Sequence, residues 1–136
     1  MQTDWLSNKA SSLSSGFPEK MVLLDCETTG GNALRHRIIE IGAIIVDQGK
    51  ITRSWQSLCN PERHIPENIQ RLTGISPAML ENAPTFSDIS HELLDLIEGR
   101  IFVAHNARFD FSFLKNEFDR EEIRFNLKPL CSVKFS

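Results

Sequence analysis

Tyrosine is absent from this 136-residue chain, so aromatic packing falls to nine phenylalanines and two tryptophans. Cysteine is scarce: Cys26, Cys59 and Cys131 are odd in number and show no C-x-x-C spacing. That pattern excludes a disulfide framework and reads as reduced thiols of an intracellular protein. No signal-peptide pattern opens the chain and no apolar run nears bilayer length, so a cytoplasmic location without membrane contact is expected. Positive charge is in deficit, with 15 Lys and Arg against 18 Asp and Glu, a net charge of −3 and a pI of about 5.8. Global electrostatics therefore advertises no nucleic-acid partner, and any polyanion must be met by a local patch or by bound cations. No internal repeat or long linker divides the sequence.

What is present is ordinary for one globular domain: 40% hydrophobic and 24% charged residues. A chain of this size buries roughly two-thirds of its unfolded surface, so it needs neither disulfide nor metal to fold. Residues 1–16 are Ser-rich and read either as a short capped helix or as a tail. The stretch KMVLLDCET is apolar on both faces, as a central strand is. Residues 37–47 and 51–59 read as two further strands joined by a tight turn at Gln48-Gly49, the second with Ile51, Arg53, Trp55 and Ser57 on one side. Two short helical stretches follow, punctuated by Gly74 and Pro77. Phe86, Ile89, Leu93 and Ile97 then recur at helical spacing, with Thr85 or Ser87 as cap and Gly99 as stop. RIFVAHN predicts a short buried strand, ARFDFSFLKNEFDREE an amphipathic helix, and LKPLCSVKFS a last strand or turn. The order implies an α/β fold with helices packed on a mixed sheet.

Within this frame the stretch DCETTG stands out. Strand residues two apart share a face, so Asp25 and Glu27 project together while Cys26 points away into the core. Side by side they repel, and each resists ionisation unless a positive group sits between them. A hard divalent cation bound through oxygens resolves the conflict; solvation, or pairing with Arg35 or Arg37, is the plainer alternative. The apolar strand and the Thr-Thr-Gly that follows place the pair at a carboxyl edge, where open α/β sheets keep their sites. Asp110 falls in the first turn of its helix, where a carboxylate also suits the helix dipole. His105 and Asn106 fit a loop and an N-cap. In Leu72-Thr73-Gly74 the glycine permits close backbone approach and the threonine supplies a hydroxyl, although the same residues also suit a plain helix end. His91 and Asp95 read as a solvated helix face. Glu117, Asp119, Glu121 and Glu122 read as one charged helix end.

Taken together, DCETTG, RIIEIGAIIV, NIQRLTGIS and HNARFDFSFL resemble the DnaQ-like (DEDD) 3′–5′ exonucleases, the family of the proofreading epsilon subunit of bacterial DNA polymerase III. The resemblance runs from about Met21 to the end of the sequence. It implies an RNase H-like mixed sheet, with three antiparallel strands and then parallel ones, flanked by helices. Residues 1–20 are left as an N-terminal extension and 21–136 as the exonuclease domain. The resemblance further makes Asp25, Glu27 and Asp110 catalytic ligands of two Mg²⁺ or Mn²⁺ ions. It sets Thr28, Thr29, Gly30, Leu72, Thr73, His105, Asn106 and Phe109 against the terminal nucleotide. The implied substrate is the 3′ end of single-stranded DNA, in proofreading or repair, with RNA as the runner-up. A DNA polymerase subunit or a fused C-terminal domain is the implied partner. One departure stands out: no histidine follows His105 and there is no tyrosine, so neither H-x-x-x-x-D nor Y-x-x-x-D follows the second motif. The domain is thus expected to be C-terminally incomplete, lacking its general base and fourth carboxylate, and weak or inactive. A non-catalytic nucleic-acid or protein-binding module is the competing expectation.

Overall fold

The computed structural model describes residues 20–104, 106–125 and 128–129. Expectations for residues 1–19, for His105 and for Cys131 lie outside the described residues.

Strand β1 (Met21–Thr28) is central, as its two-sided apolar pattern requires. It pairs antiparallel with β2 (Ile38–Asp47), which pairs antiparallel with β3 (Lys50–Leu58). Gln48 and Gly49 form the intervening turn, with φ of 50° and 79°, the left-handed pair that two-residue hairpins favour. On its other side β1 runs parallel to β4 (Ile101–Val103), and β4 parallel to β5 (Lys128–Pro129). The sheet order is β3-β2-β1-β4-β5.

The expected alternation of β3 did not produce a buried face. The strand is the sheet's edge, most of it is exposed, and Ile51 stands in solvent. Beyond the ladder to β2, Trp55 ties the strand to α3: the ring packs at the rim of the core and Nε1 donates to Glu92 Oε1 at 2.6 Å.

Between β3 and β4 lie α1 (Glu67–Thr73), the single-turn α2 (Pro77–Leu80) and α3 (Phe86–Ile97). Gly74 ends α1 in the left-handed conformation, and Thr85 caps α3 by accepting from Asp88 N. Helix α4 (Ala107–Arg120) follows β4, with Asn106 as its N-cap. One face of the sheet (Val22, Leu24 and Cys26 of β1; Ile41, Ala43 and Ile45 of β2) packs against Phe86, Leu93 and Ile97 of α3 and Phe113, Leu114 and Phe118 of α4. Phe86 and Phe118 meet edge-to-face with centroids 5.1 Å apart, locking the two helices together. A smaller cluster of Ile39, Ile65, Ile75 and Leu80 ties down the segment holding α1 and α2.

Candidate metal and nucleic-acid site

Asp25 and Glu27 lie in the last half of β1, one residue apart and alternating with buried Cys26, as the strand period requires. Register completes their surroundings. Asp25 faces Gly42, which has no side chain, across the β1–β2 pair, and Glu27 faces Glu40. Like charges directly opposite repel. Glu27 accordingly has its pKa raised, by partial burial and then by Asp25 and Glu40. Glu40 is itself buried, with Oε2 accepting from Gln56 Nε2 at 2.9 Å.

Asp110 reaches the same strand from α4. It is buried, and its Oδ1 accepts from the Cys26 thiol at 3.0 Å. Burial lifts its pKa from 3.8 to about 7, against the Cys26 hydrogen bond and with a further upward push from Asp25. The thiol moves the same way, pushed well up by burial and then by Asp110. Each of the three carboxylates thus lies within electrostatic reach of another. Among the described residues, however, no group of three or more His, Cys, Asp or Glu side chains is placed to hold a metal ion. The donor chemistry still fits one: Mg²⁺ is held through one or two carboxylates together with waters and substrate phosphates rather than in an all-protein cage. Mutual repulsion between oxygen donors is what such a cation relieves.

Asp110 carries a pH signature. Its folded pKa is raised, so its contribution to stability is present below pH 3.8 and is lost as pH rises through about 7. In EDTA the chain is expected to lose thermal stability across that window. Asp110→Asn should flatten this part of the slope, and Mg²⁺, which favours ionised carboxylates, should restore stability most at the alkaline end. Thermal melts from pH 4 to 8 would show it; a slope unchanged in Asp110→Asn would refute it.

The loop from Thr29 to Arg37 forms the rim of the site. Thr28 Oγ1 donates to Gly30 O at 2.6 Å. Thr29 is buried: its N donates to Arg37 O, its Oγ1 accepts from Arg37 N at 3.0 Å, and the same oxygen shares a 3.1 Å hydrogen bond with His36 Nδ1. Both hydroxyls, assigned to a nucleotide on sequence grounds, are engaged inside the loop. Asn32 Oδ1 accepts from Leu34 N, Arg120 Nη2 donates to Ala33 O, and Arg63 Nη1 donates to Arg35 O.

Gly30 is fixed by His36. A Cβ at position 30 would stand 2.5 Å from the imidazole Cε1 and Nε2. Gly30→Ala is therefore expected to displace the ring, break its bond to Thr29 and cost on the order of 1–2 kcal/mol. In a His36→Ala background the same substitution should cost little. Equal costs in the two backgrounds, measured by denaturant titration, would rule out this contact as the cause.

The remaining expected contacts are dispersed. Leu72 is 79% exposed at the end of α1. The Thr73 hydroxyl closes that helix, donating to Ile69 O at 2.8 Å and accepting from Ile75 N at 3.1 Å. Asn106 is exposed and its Oδ1 accepts from Phe109 N at 3.4 Å. Phe109 is half-buried, tilted against Phe113 with centroids 4.8 Å apart.

Glu40 and His36 escaped the sequence reading, and Arg37 and Glu117 were given other roles in it. The alternative pairing of Arg37 with Asp25 or Glu27 is replaced by one with Glu117. Glu117 is no part of a charged surface end. Its side chain is 1% exposed, with Oε1 2.7 Å from Arg37 Nη2. Hairpin register alone could have found Glu40; the other three depend on the tertiary fold.

The candidate site sits at the carboxyl end of the central strand of an RNase H-like sheet. The chain belongs to the exonuclease family, whose profile matches residues 22–131. It is 39% identical over 116 residues to the 3′-5′ exonuclease DinG of Bacillus subtilis, covering 85% of this chain and 12% of that protein. It is 38% identical over 98 residues to the PolC-type DNA polymerase III of Caldanaerobacter subterraneus, covering 72% and 7%. This chain thus spans a small part of the curated relatives it matches. Among solved structures, the zinc-bound complex of E. coli exonuclease I with single-stranded DNA superposes with a TM-score of 0.71 at 18% identity, over 83% of this chain and 28% of that one. Among the described residues, no helix is long and apolar enough to cross a membrane.

Proposed function

We propose that this chain carries the nuclease site of a metal-dependent 3′–5′ exonuclease acting on single-stranded DNA ends, in proofreading or repair. The observation that carries the reading is the pair Asp25 and Glu27, aimed together from the end of the central strand, with Asp110 brought to the same strand by α4. Asp25, Glu27 and Asp110 would hold Mg²⁺ or Mn²⁺, and the chemistry such ions supply is water activation and charge neutralisation in phosphodiester hydrolysis. The protein's own part is positional. Burial and mutual repulsion keep the carboxylates poised for a cation. Gly30 lets the rim pass close under His36, and exposed Leu72 and half-buried Phe109 offer apolar surface to bases, which is sequence-tolerant. Bound cations also answer how an acidic chain meets a polyanion. The DinG and PolC-type relatives, both far longer than this chain, support a setting within a longer protein, and the PolC-type DNA polymerase III supports a polymerase context.

The test is a 3′-labelled single-stranded oligonucleotide incubated with the chain and Mn²⁺ or Mg²⁺, alongside a 5′-labelled copy, an RNA copy and an EDTA control. Slow, metal-dependent loss of 3′ nucleotides from DNA is expected. Intact DNA, bound equally well with and without metal, would establish the non-catalytic binding module instead; faster trimming of RNA would reassign the substrate.

A further inference from the structure

Helix α4 is fastened to the end of β1 and the start of β2 at two points, and Asp110 is one of them. The first is the Cys26–Asp110 hydrogen bond. The second is Glu117, two helical turns further along the same face of α4. Its buried carboxylate accepts from Arg37 Nε at 2.9 and 3.1 Å, from Arg120 Nη1 at 3.3 Å and from the backbone N of Ile38 at 2.9 Å. Ile38 is the residue at which β2 takes up pairing with Thr28, just after the register shift beside Glu27. Arg37 is in turn bonded through its backbone, in both directions, to Thr29.

These contacts form a closed circuit. It runs from Glu27 along the chain to Thr29, across to Arg37, through the guanidinium to Glu117, back along α4 to Asp110, and from there to Cys26 of β1. The planar guanidinium meets the carboxylate with two donors, which fixes orientation as well as distance. A surface salt bridge would impose no such constraint. We propose that Glu117, clamped by Arg37, is a positioning residue that sets where Asp110 stands relative to Asp25 and Glu27, and so the metal affinity of the site. This inference rests on the reading of those three carboxylates as metal ligands.

The experiment measures Mn²⁺ binding by the free-ion electron paramagnetic resonance signal, without substrate or turnover. Glu117→Gln keeps the side chain's size and its bond from Ile38 N but loses the ion pair. It is expected to weaken Mn²⁺ binding by about 10–100-fold, the usual cost of losing a group that orients metal ligands. Arg37→Lys keeps the charge without the fork; it should show a smaller loss in the same direction, and it serves if Glu117→Gln does not fold. Leu93→Ala, a core truncation in α3 that removes none of the circuit's polar contacts, controls for general loosening and should bind Mn²⁺ as the unaltered chain does. Unchanged affinity in both clamp variants would overturn the inference and leave the proposed function standing. An equal loss in Leu93→Ala would also overturn it, by showing that stability alone sets affinity. No Mn²⁺ binding by the unaltered chain would overturn the metal reading itself, and this inference with it.

Discussion

Replacing Asp25 with Asn is expected to abolish metal-dependent trimming of a 3′ end, by on the order of 10²-fold or more, while leaving the metal-free fold as stable as before or more so. The two halves of this result have one cause. Asp25 raises the proton affinity of both its neighbours, Glu27 and Asp110. Carboxylates that repel one another without a cation are a destabilising arrangement, and removing Asp25 relaxes the other two. The gain should be on the order of 0.5–1 kcal/mol in EDTA. With Mg²⁺ present the sign reverses, because the lost charge belongs to the cation's binding energy and to transition-state stabilisation worth several kcal/mol, each 1.4 kcal/mol being tenfold in rate. Single-turnover trimming assays together with thermal melts in EDTA and in Mg²⁺ would show this crossing of activity and stability. Unaltered trimming by Asp25→Asn would remove the proposed function; lost trimming with a matching loss of metal-free stability would mean that Asp25 is a structural residue.

Local rules made much of this molecule readable. Asp25 and Glu27 share a face because strand geometry has period two. The Gln48-Gly49 hairpin, the Gly74 stop and the Thr85 cap follow from preferences acting over a few residues. Where an outcome depended on distant partners, the sequence misled. β3 alternates like a half-buried strand, yet its place at the sheet edge leaves it exposed, and edge position is a property of the whole topology. Glu117 sits in a run of charged residues and looked solvated. Its burial requires Arg37, far away in the chain, to arrive beside it, and no periodicity encodes that meeting. The thiol of Cys26 and Asp110 are separated by a still longer stretch. The family was thus legible from its motifs, whereas the scaffolding around the candidate site was not, since that scaffolding consists of long-range polar contacts.

The buried pair yields the largest expected change in stability. Breaking an ion pair from one side leaves the other charge stranded, and the cost depends on which partner is more deeply buried. Glu117 is 1% exposed and Arg37 17%, so removing the arginine leaves the charge that has less recourse to water with only Arg120 Nη1, at 3.3 Å, and Ile38 N beside it. Arg37→Met is therefore expected to cost about 3–5 kcal/mol. Glu117→Gln should cost less, since the guanidinium can turn toward solvent and the amide oxygen can still accept from Ile38 N. The double substitution Arg37→Met with Glu117→Gln should be more stable than Arg37→Met alone, because the stranded charge is gone and an apolar chain fills the guanidinium's place. Urea titration of the four proteins at neutral pH measures the cycle. If Glu117→Gln proves the costlier single change, or the double variant the least stable of the four, then the pair is held by its surroundings and not by its charges.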